Sequence, residues 1–432
     1  MRPYLHNINM RKIWLLGLLL VSLLSACDND DNEVAPGERP DERLNKLLTD
    51  YKAQLVGAEH GWKATLFPAG GAGYSFLFRF SENDRVTTVS DINAAAAAPL
   101  ESTYRLKAVQ RPSLLFDTYT YLHVLADPDA TKSGGDWGQG KYSDFEFSFD
   151  RATPDSITLT GNYNGSRLVL VRATAEEAGN YITRINENAR AFEGINSFSL
   201  YFKQLVIGGQ AIDMSVNTNL RTITFTYGEG GEVKTVTTGY YYTPEGVRLL
   251  QPLTSGGQTI TMLNALQFED AQNRIRLTVN GVAATIQEAS KPAKVDPQAA
   301  QAFYSPPNGE YWISLSGFTV EGTTDAYNIT SIANLAALTF FTKVDPPYDG
   351  LIFFTTDDQF FGPAFRSRIT SDGRIVFTYA GEFGTTPEQA APMVQVTRDQ
   401  FVIPEGYYVI RTGTNTFDLV SAKDAKVWIS FQ

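Results

Sequence analysis

The sequence has few of the residues that support covalent or metal chemistry. Its 432 residues include one cysteine and three histidines. A single cysteine cannot form an intrachain disulfide or a cysteine-ligated zinc site. A Ser-His-Asp hydrolase would need one of the few histidines, and no G-x-S-x-G sequence supplies the serine. We therefore assign no catalytic residue, metal site or cofactor from the sequence, and we favour a function without catalysis.

Basic residues are also scarce, and they are scattered. Lys and Arg together number 36 against 47 Asp and Glu, which gives a formal net charge of −11. Because binding to nucleic acid depends on clustered Lys and Arg, we expect no nucleic-acid partner. With 43% apolar and only 19% charged residues, the chain can bury several cores.

The hydrophobic run near the start of the chain is short. It covers 12 residues, Ile13 to Leu24, and follows Arg11 and Lys12. A membrane-spanning helix needs about 20 residues, so this run is typical of a signal peptide. Residues 24–27 read Leu-Ser-Ala-Cys and resemble a bacterial lipobox. We predict a lipoprotein signal peptide over residues 1–26 and lipidation of Cys27; the alternative is an ordinary secretory signal. Translation is expected to start at Met1 or at Met10.

An acidic segment follows the cysteine. Residues 28–33 read DNDDNE, and prolines follow at positions 36 and 40. This composition predicts a flexible tether over residues 27–41. The acidic residues resemble the surface-export signal of some Gram-negative bacteria, although an Asp beside the cysteine retains lipoproteins at the inner membrane in others. We expect anchoring in the outer membrane with the body facing the cell exterior.

A period of two dominates the sequence after residue 61. Phe76, Phe78 and Phe80 share one face of a predicted strand. Asn164-Gly165 predicts a hairpin, since both central residues of a type I′ turn need positive φ. Asn280-Gly281 predicts another. We therefore predict a mainly β fold of consecutive antiparallel meander or barrel-like (lipocalin-like) domains with a few short helices.

Two segments show a helical pattern, one before the strands and one between them. One lies over residues 44–55 and ends at Gly57; the other starts with the capping pair Thr174 and Glu177 and ends at Gly194. We expect the second helix to close the first β domain. The predicted domains are a barrel-like domain over 42–193, a second β domain over 194–291, and a C-terminal β domain over 298–432 that stands alone or packs with the second as one unit.

Aromatic residues in loops and aromatic runs are the candidate ligand contacts. Trp137 and Tyr142 lie in or beside a glycine-rich loop, and Tyr241 and Phe361 belong to aromatic runs whose alternate members point out of the core. Such a side chain can stack on a sugar ring or anchor a partner; the alternative for Trp137 is an indole folded over a barrel end. His123 is predicted to be a satisfied histidine on a strand.

Three stretches of the chain resemble a known family. They are Gly61 to Thr65, Arg111 to Tyr119 running on to His123, and Asp418 to Ser421 with Val427 to Ile429. On these residues the chain resembles the uncharacterised bacterial lipoproteins called the domain of unknown function 4302 family, over most of its length. The resemblance carries over no catalytic positions. It implies an association with a TonB-dependent transporter and its surface solute-binding lipoprotein.

The sequence thus predicts a lipid-anchored surface protein of an outer-membrane nutrient-uptake system. It would bind a glycan or a peptide, or dock on the uptake machinery. The alternatives are a secreted glycoside hydrolase that uses paired carboxylates, and a surface adhesin or structural component. Convergent acids in a deep cleft would favour the hydrolase, and an aromatic shelf with scattered acids would favour the binding protein.

Overall fold

The computed structural model describes residues 39–307 and 311–432. The predicted signal peptide, Cys27 and nearly all of the predicted tether lie outside the described residues. The chain divides into two units, Met1–Tyr51 and Lys52–Gln432. Every strand named below belongs to the second unit.

The α-helices of the described residues are few and mostly short, as predicted. They are α1 (Pro40–Val56), α2 (Tyr121–Ala126), α3 (Ala130–Ser133), α4 (Ala175–Glu193), α5 (Pro297–Phe303) and α6 (Ala391–Phe401). Short 3-10 turns cover Ala94–Ala97, Gly194–Ser197, Asp270–Gln272 and Ile329–Ser331. Within residues 39–307 and 311–432, no helix is both long and apolar enough to cross a membrane.

The first eight strands form a closed antiparallel barrel in sequence order. They are β1 (Trp62–Phe67), β2 (Tyr74–Phe80), β3 (Arg85–Ser90), β4 (Leu100–Ala108), β5 (Pro112–Phe116), β6 (Glu146–Thr153), β7 (Ser156–Gly161) and β8 (Arg167–Arg172). Pairing of β1 with β8 closes the barrel. Trp62 is fully buried, with its Nε1 donating to the Leu55 carbonyl over 2.9 Å. Alternation of buried and outward residues on one strand after another is what lets a meander close on itself.

The next eight strands form a second closed barrel with the same meander. They are β9 (Phe202–Ile207), β10 (Gln210–Asn217), β11 (Thr222–Glu229), β12 (Glu232–Thr243), β13 (Gly246–Ser255), β14 (Gln258–Glu269), β15 (Arg274–Val279) and β16 (Val282–Ala289). Pairing of β16 with β9 closes this barrel. The fold class predicted from the sequence is therefore confirmed.

The last nine strands form one antiparallel sheet. They are β17 (Tyr311–Ser314), β18 (Phe318–Val320), β19 (Leu335–Asp345), β20 (Tyr348–Thr355), β21 (Phe360–Ile369), β22 (Arg374–Gly384), β23 (Tyr407–Arg411), β24 (Phe417–Ser421) and β25 (Val427–Phe431). β18 and β24 flank β25, so Trp428 and Ile429 are paired on both sides. Ile313 and Gln432 exchange two backbone hydrogen bonds of 2.8 and 2.9 Å. The edge strand β17 therefore also pairs with the residue that follows β25.

Helix α4 forms where the sequence predicts it but packs elsewhere. Thr174 accepts a hydrogen bond from the Glu177 amide, and the Glu177 carboxylate accepts one from the Thr174 amide. Ile185 and Phe192 of its buried face belong to the same core as the interior of the second barrel. The Phe192 ring lies 5.3 Å from the Tyr240 ring of β12. The expectation that this helix closes the first barrel is corrected, because its apolar face fits the aromatic interior of the second.

At one place the two barrels approach each other so closely that backbone meets backbone. Gly73, before β2, donates its amide to the Tyr240 carbonyl of β12 over 3.3 Å. A Cβ atom at Gly239 would lie 2.1 Å from the Gly71 carbonyl oxygen, and one at Gly73 would lie 2.7 Å from the Tyr241 Cβ. These glycines are required because any side chain would force the barrels apart.

We predict that Gly239→Ala lowers the free energy of unfolding by about 1 to 3 kcal/mol, because the added methyl overpacks a backbone contact. The matched control is Gly179→Ala on the exposed face of α4, where an added Cβ meets no atom within 4 Å. This control should raise stability by up to about 1 kcal/mol through helix propensity. Urea denaturation of the full chain measures both. Equal effects of the two substitutions would contradict the proposed close approach.

Candidate functional site

A cleft of about 650 Å³ lies between the two barrels. This volume falls in the usual range for sites that bind small ligands, roughly 300 to 1,000 Å³. The first barrel contributes the end of β3, the following 3-10 turn, and α2 and α3 with the loop behind them. The second barrel contributes the loop between β10 and β11, and α4 supplies the remaining wall. The cleft therefore exists only while the barrels keep their relative position.

A buried ion pair joins the barrels at the cleft. Arg221, just before β11, is 5% exposed, and Asp91, just after β3, is 4% exposed. The Arg221 Nη1 donates to the Asp91 Oδ2 over 2.8 Å, and its Nη2 donates to the Asp91 carbonyl over 2.7 Å. Nη1 also donates to the Gly73 carbonyl over 2.8 Å. The other carboxylate oxygen of Asp91 accepts from the Ser75 amide over 2.8 Å. Such hydrogen bonds offset part of the cost of burying two charges.

Arg221 holds an unfavourable backbone conformation to reach this position. Its φ is +51°, in the left-handed region that residues with a Cβ rarely adopt. Its guanidinium carbon lies 4.3 Å from the centre of the Tyr74 ring and 4.9 Å from that of Tyr242. Cation–π contacts and three hydrogen bonds together compensate for the strain. Burial raises the pKa of the Asp91 carboxyl, and the charge of Arg221 opposes that shift.

The Tyr74 hydroxyl is the polar group that this arrangement leaves unsatisfied. Tyr74 lines the cleft and is only 2% exposed, and its hydroxyl has no hydrogen-bond partner among the described residues. Burial raises its pKa to about 12, so the phenol keeps its proton at neutral pH. A buried donor without an acceptor costs about 1 to 3 kcal/mol.

Two carboxylates line the described part of the cleft, and both already accept hydrogen bonds. Asp91 is held by Arg221, as described above. Glu193, at the end of α4, accepts from the Tyr242 hydroxyl over 3.1 Å. That hydroxyl also lies 3.4 Å from the Tyr240 hydroxyl. Four asparagines, Asn93, Asn186, Asn196 and Asn219, contribute amide groups to the lining.

Trp137 and Tyr142 lie on one loop beside the cleft. Gly134 and Lys141, at the two ends of this loop, line the cleft. Trp137 is 72% exposed, and the Tyr142 hydroxyl donates to the Asp136 carboxylate over 2.9 Å.

Glycine is required for the tight path of this loop. A Cβ at Gly135 would lie 2.1 Å from the Gly140 carbonyl oxygen. The indole is therefore presented to solvent by a closed, hydrogen-bonded loop rather than folded over a barrel end.

Tyr241 and Phe361 lie away from this site. Tyr241 is half-buried, and its ring packs edge-on against Phe67 at 5.4 Å. It belongs to the contact between the barrels. Phe361 is fully buried and stacks on Phe353 at 5.7 Å, so its selection as a ligand contact is corrected. Phe360 is the outward member of that pair, at 53% exposure.

Phe360 is part of a continuous aromatic strip on the outer face of the C-terminal sheet. The strip consists of Tyr311, Phe341, Phe354 and Phe360, on β17, β19, β20 and β21. Successive ring centres lie 4.9, 5.8 and 6.4 Å apart. It is a second aromatic surface, separate from the cleft.

His123 lies on helix α2, so the prediction of a strand there is wrong. The Thr120 amide donates to the His123 Nδ1 over 3.2 Å, which helps to start a helical turn. The imidazole stacks on Phe145 at 4.3 Å, and burial lowers its pKa. The described residues contain no cluster of three or more His, Cys, Asp or Glu that could hold a metal ion.

Sequence reasoning missed Asp91, Arg221 and Tyr74. Asp91 and Arg221 are 130 positions apart, and neither belongs to a recognisable motif. The local pattern places Tyr74 on a strand and nothing more. No spacing rule connects a residue of one barrel with a residue of the next, so these contacts required the tertiary structure.

Comparison with known proteins gives one family. The sequence profile described as domain of unknown function (DUF4302) matches residues 36–267. This range includes two of the three stretches that carry the resemblance and every residue that lines the cleft. The stretches at 418–421 and 427–429 fall outside it. No curated protein matches the chain.

Several solved structures match parts of the chain at low identity and low TM-score. A protein from Burkholderia xenovorans is 16% identical, covering 34% of this chain and 93% of its own, with a TM-score of 0.23. A penicillin-binding protein homologue from Pyrococcus abyssi is 9% identical, covering 34% and 36%, with a TM-score of 0.15. Transferrin-binding protein B from Haemophilus parasuis is 9% identical, covering 83% and 64%, with a TM-score of 0.12. These scores carry no functional argument.

We predict that Arg221→Met lowers the free energy of unfolding by about 3 to 5 kcal/mol, because it leaves the Asp91 carboxylate buried and unpaired. The double substitution Arg221→Met with Asp91→Asn should recover part of that loss. As a control, Lys234→Met removes the cation of an exposed pair with Glu229 and should change stability by less than about 1 kcal/mol. Urea denaturation provides the measurement, and equal losses for Arg221→Met and Lys234→Met would show that the pair does not hold the barrels.

Proposed function

This chain belongs to the DUF4302 family, and from that premise we propose that it is a lipid-anchored protein of the cell surface that binds a saccharide in the cleft between its barrels. In this proposal the protein captures its ligand without changing it chemically. It acts as an accessory component of an outer-membrane nutrient-uptake system, with a TonB-dependent transporter and its solute-binding lipoprotein as partners.

The observation that carries this proposal is the set of polar groups that line the cleft. Asparagine amides both donate and accept, which suits the hydroxyl groups of a sugar. Trp137 extends from the loop beside the cleft, and an exposed indole can stack on the apolar face of a sugar ring.

The state of the two carboxylates favours binding over hydrolysis. A glycoside hydrolase needs one carboxyl group as general acid and a second as base or nucleophile. Asp91 is buried in an ion pair with Arg221, and Glu193 accepts from Tyr242. Neither is free to reach a substrate while it holds its structural partners. The glycosidase alternative therefore has less support than the binding function.

The adhesin alternative also has less support. Exchange of strands between copies at the C-terminal edge needs an unpaired strand. Trp428 and Ile429 of β25 are paired on both sides, so the last strand offers no template there.

We predict that acylation of the protein depends on Cys27. Cys27→Ser should abolish acylation, because the sulfur atom carries the lipid. Labelling of cells with an azido fatty acid and mass spectrometry of the N-terminal peptide measure this. Asp30→Asn, in the predicted tether, serves as the control and should remain acylated. Retention of the label by Cys27→Ser would contradict the lipoprotein assignment.

We predict that the full chain binds some oligosaccharides. A panel of plant and host oligosaccharides should include members that raise the melting temperature of the full chain, since a ligand that binds only the native state stabilises it. For such a saccharide, Trp137→Ala should weaken binding about tenfold or more, in line with the loss of one aromatic contact. Tyr163→Ala removes an aromatic side chain that is 90% exposed and does not line the cleft, and it should have no effect. Unchanged affinity of Trp137→Ala would remove the loop from the site.

A further inference from the structure

We infer that the saccharide bound by the cleft carries an oxyanion, a carboxylate or a sulfate, and that Lys141 and Arg190 bind it. This inference rests on the proposed function, because it names the chemical class of the ligand for the same cleft. It adds that the ligand must carry a negative charge, which a neutral sugar lacks.

The distribution of charge in the cleft carries the inference. Four cations line it, Lys132, Lys141, Arg190 and Arg221, against the two carboxylates of Asp91 and Glu193. The whole chain has a formal net charge of −11. A cleft with an excess of positive charge is therefore a local feature of an acidic protein, and such a region concentrates anions.

Two of the four cations have no carboxylate partner. Arg221 is paired with Asp91, and Lys132 lies 3.8 Å from both Asp127 and Asp129. Within the part of the chain that the structure describes, neither Lys141 nor Arg190 lies within ion-pair distance of any acidic side chain.

Lys141 is held in place with one donor to spare. Its Nζ donates to the Gly134 carbonyl over 3.1 Å and to the Asn219 carbonyl over 3.0 Å, so it joins the first barrel to the second. An ammonium group has three N–H donors, and two are thus used. Burial lowers the pKa of Lys141, as does the charge of Arg221. A bound oxyanion would offset both effects.

Two of the four cations, Lys141 and Arg221, lie against the Tyr74 ring. The Lys141 Nζ lies 5.9 Å from the centre of the Tyr74 ring, and the Arg221 guanidinium lies against the same ring. The Tyr74 hydroxyl is the buried donor without a partner described above. A carboxylate or sulfate has several acceptor oxygens, so one such group can accept from an ammonium and a guanidinium group together.

The test compares saccharides that differ only in charge. The panel contains uronate-bearing, sialate-bearing and sulfate-bearing oligosaccharides, each with its methyl-esterified or desulfated counterpart, together with inorganic sulfate. Affinity for the full chain is measured by isothermal titration calorimetry. We expect an acidic saccharide to bind at least about tenfold more tightly than its neutral counterpart, as a charge-assisted hydrogen bond requires. The uronate and sulfate arms identify which oxyanion is preferred.

The variants assign the effect to the cleft. Lys141→Gln and Arg190→Gln should each weaken binding of the acidic saccharide about tenfold, and should weaken any binding of the neutral counterpart clearly less. Arg151→Gln removes an exposed cation that does not line the cleft and should have no effect. Arg190 is also exposed, so its variant remains informative if Lys141→Gln fails to fold.

The other possible results distinguish failure of the oxyanion inference from failure of the proposed function. Equal affinity for acidic and neutral saccharides would overturn the inference and leave the proposed function intact. Binding of inorganic sulfate as tight as that of any saccharide would also overturn it, since the cleft would then be a simple anion site. Binding of no saccharide in the panel would overturn the proposed function itself.

Discussion

The ion pair between Arg221 and Asp91 is the interaction on which the arrangement of the barrels depends. Each residue lies at a strand end of a different barrel, and both side chains are almost fully buried. Arg221 reaches the first barrel through two carbonyls and a carboxylate while its own backbone has a φ of +51°. An ion pair at this depth adds little net stability compared with apolar packing, but breaking it is costly. Its value is geometric, because it permits one relative position of the two barrels.

This geometry explains why the cleft is polar. The barrels meet through glycine backbone at Gly73 and Gly239, and the cleft opens beside this contact. Helices α2, α3 and α4 and two loops border that space with amides and cations. A binding site between two rigid bodies is preorganised, and a ligand loses less free energy when it need not order the protein. The same constraint leaves the Tyr74 hydroxyl without an acceptor.

Local features of the sequence predicted much of the fold. Asn280 and Gly281 have φ values of +51° and +79°, as a type I′ turn requires. The hairpin at Asn164-Gly165 also forms, but only Gly165 has positive φ, because the distant Asp144 carboxylate accepts from the Asn164 amide and holds a wider loop. Trp137 was identified because a glycine-rich loop has little surface to cover an indole. The buried pair and Tyr74 could not be found, since contacts between barrels leave no periodicity in the sequence. The choice of Phe361 over Phe360 was wrong because alternation fixes which residues share a face but not which face is buried.

The central claim is that the cleft between the barrels is where the ligand binds. Hydrogen–deuterium exchange of the full chain, with and without a saturating acidic oligosaccharide, tests this directly because it reports on every segment at once. We predict that the bound oligosaccharide slows hydrogen exchange in residues 91–97, 131–141, 186–196 and 218–221, which border the cleft. Protection confined to the aromatic strip of the C-terminal sheet, or spread over neither surface, would contradict it.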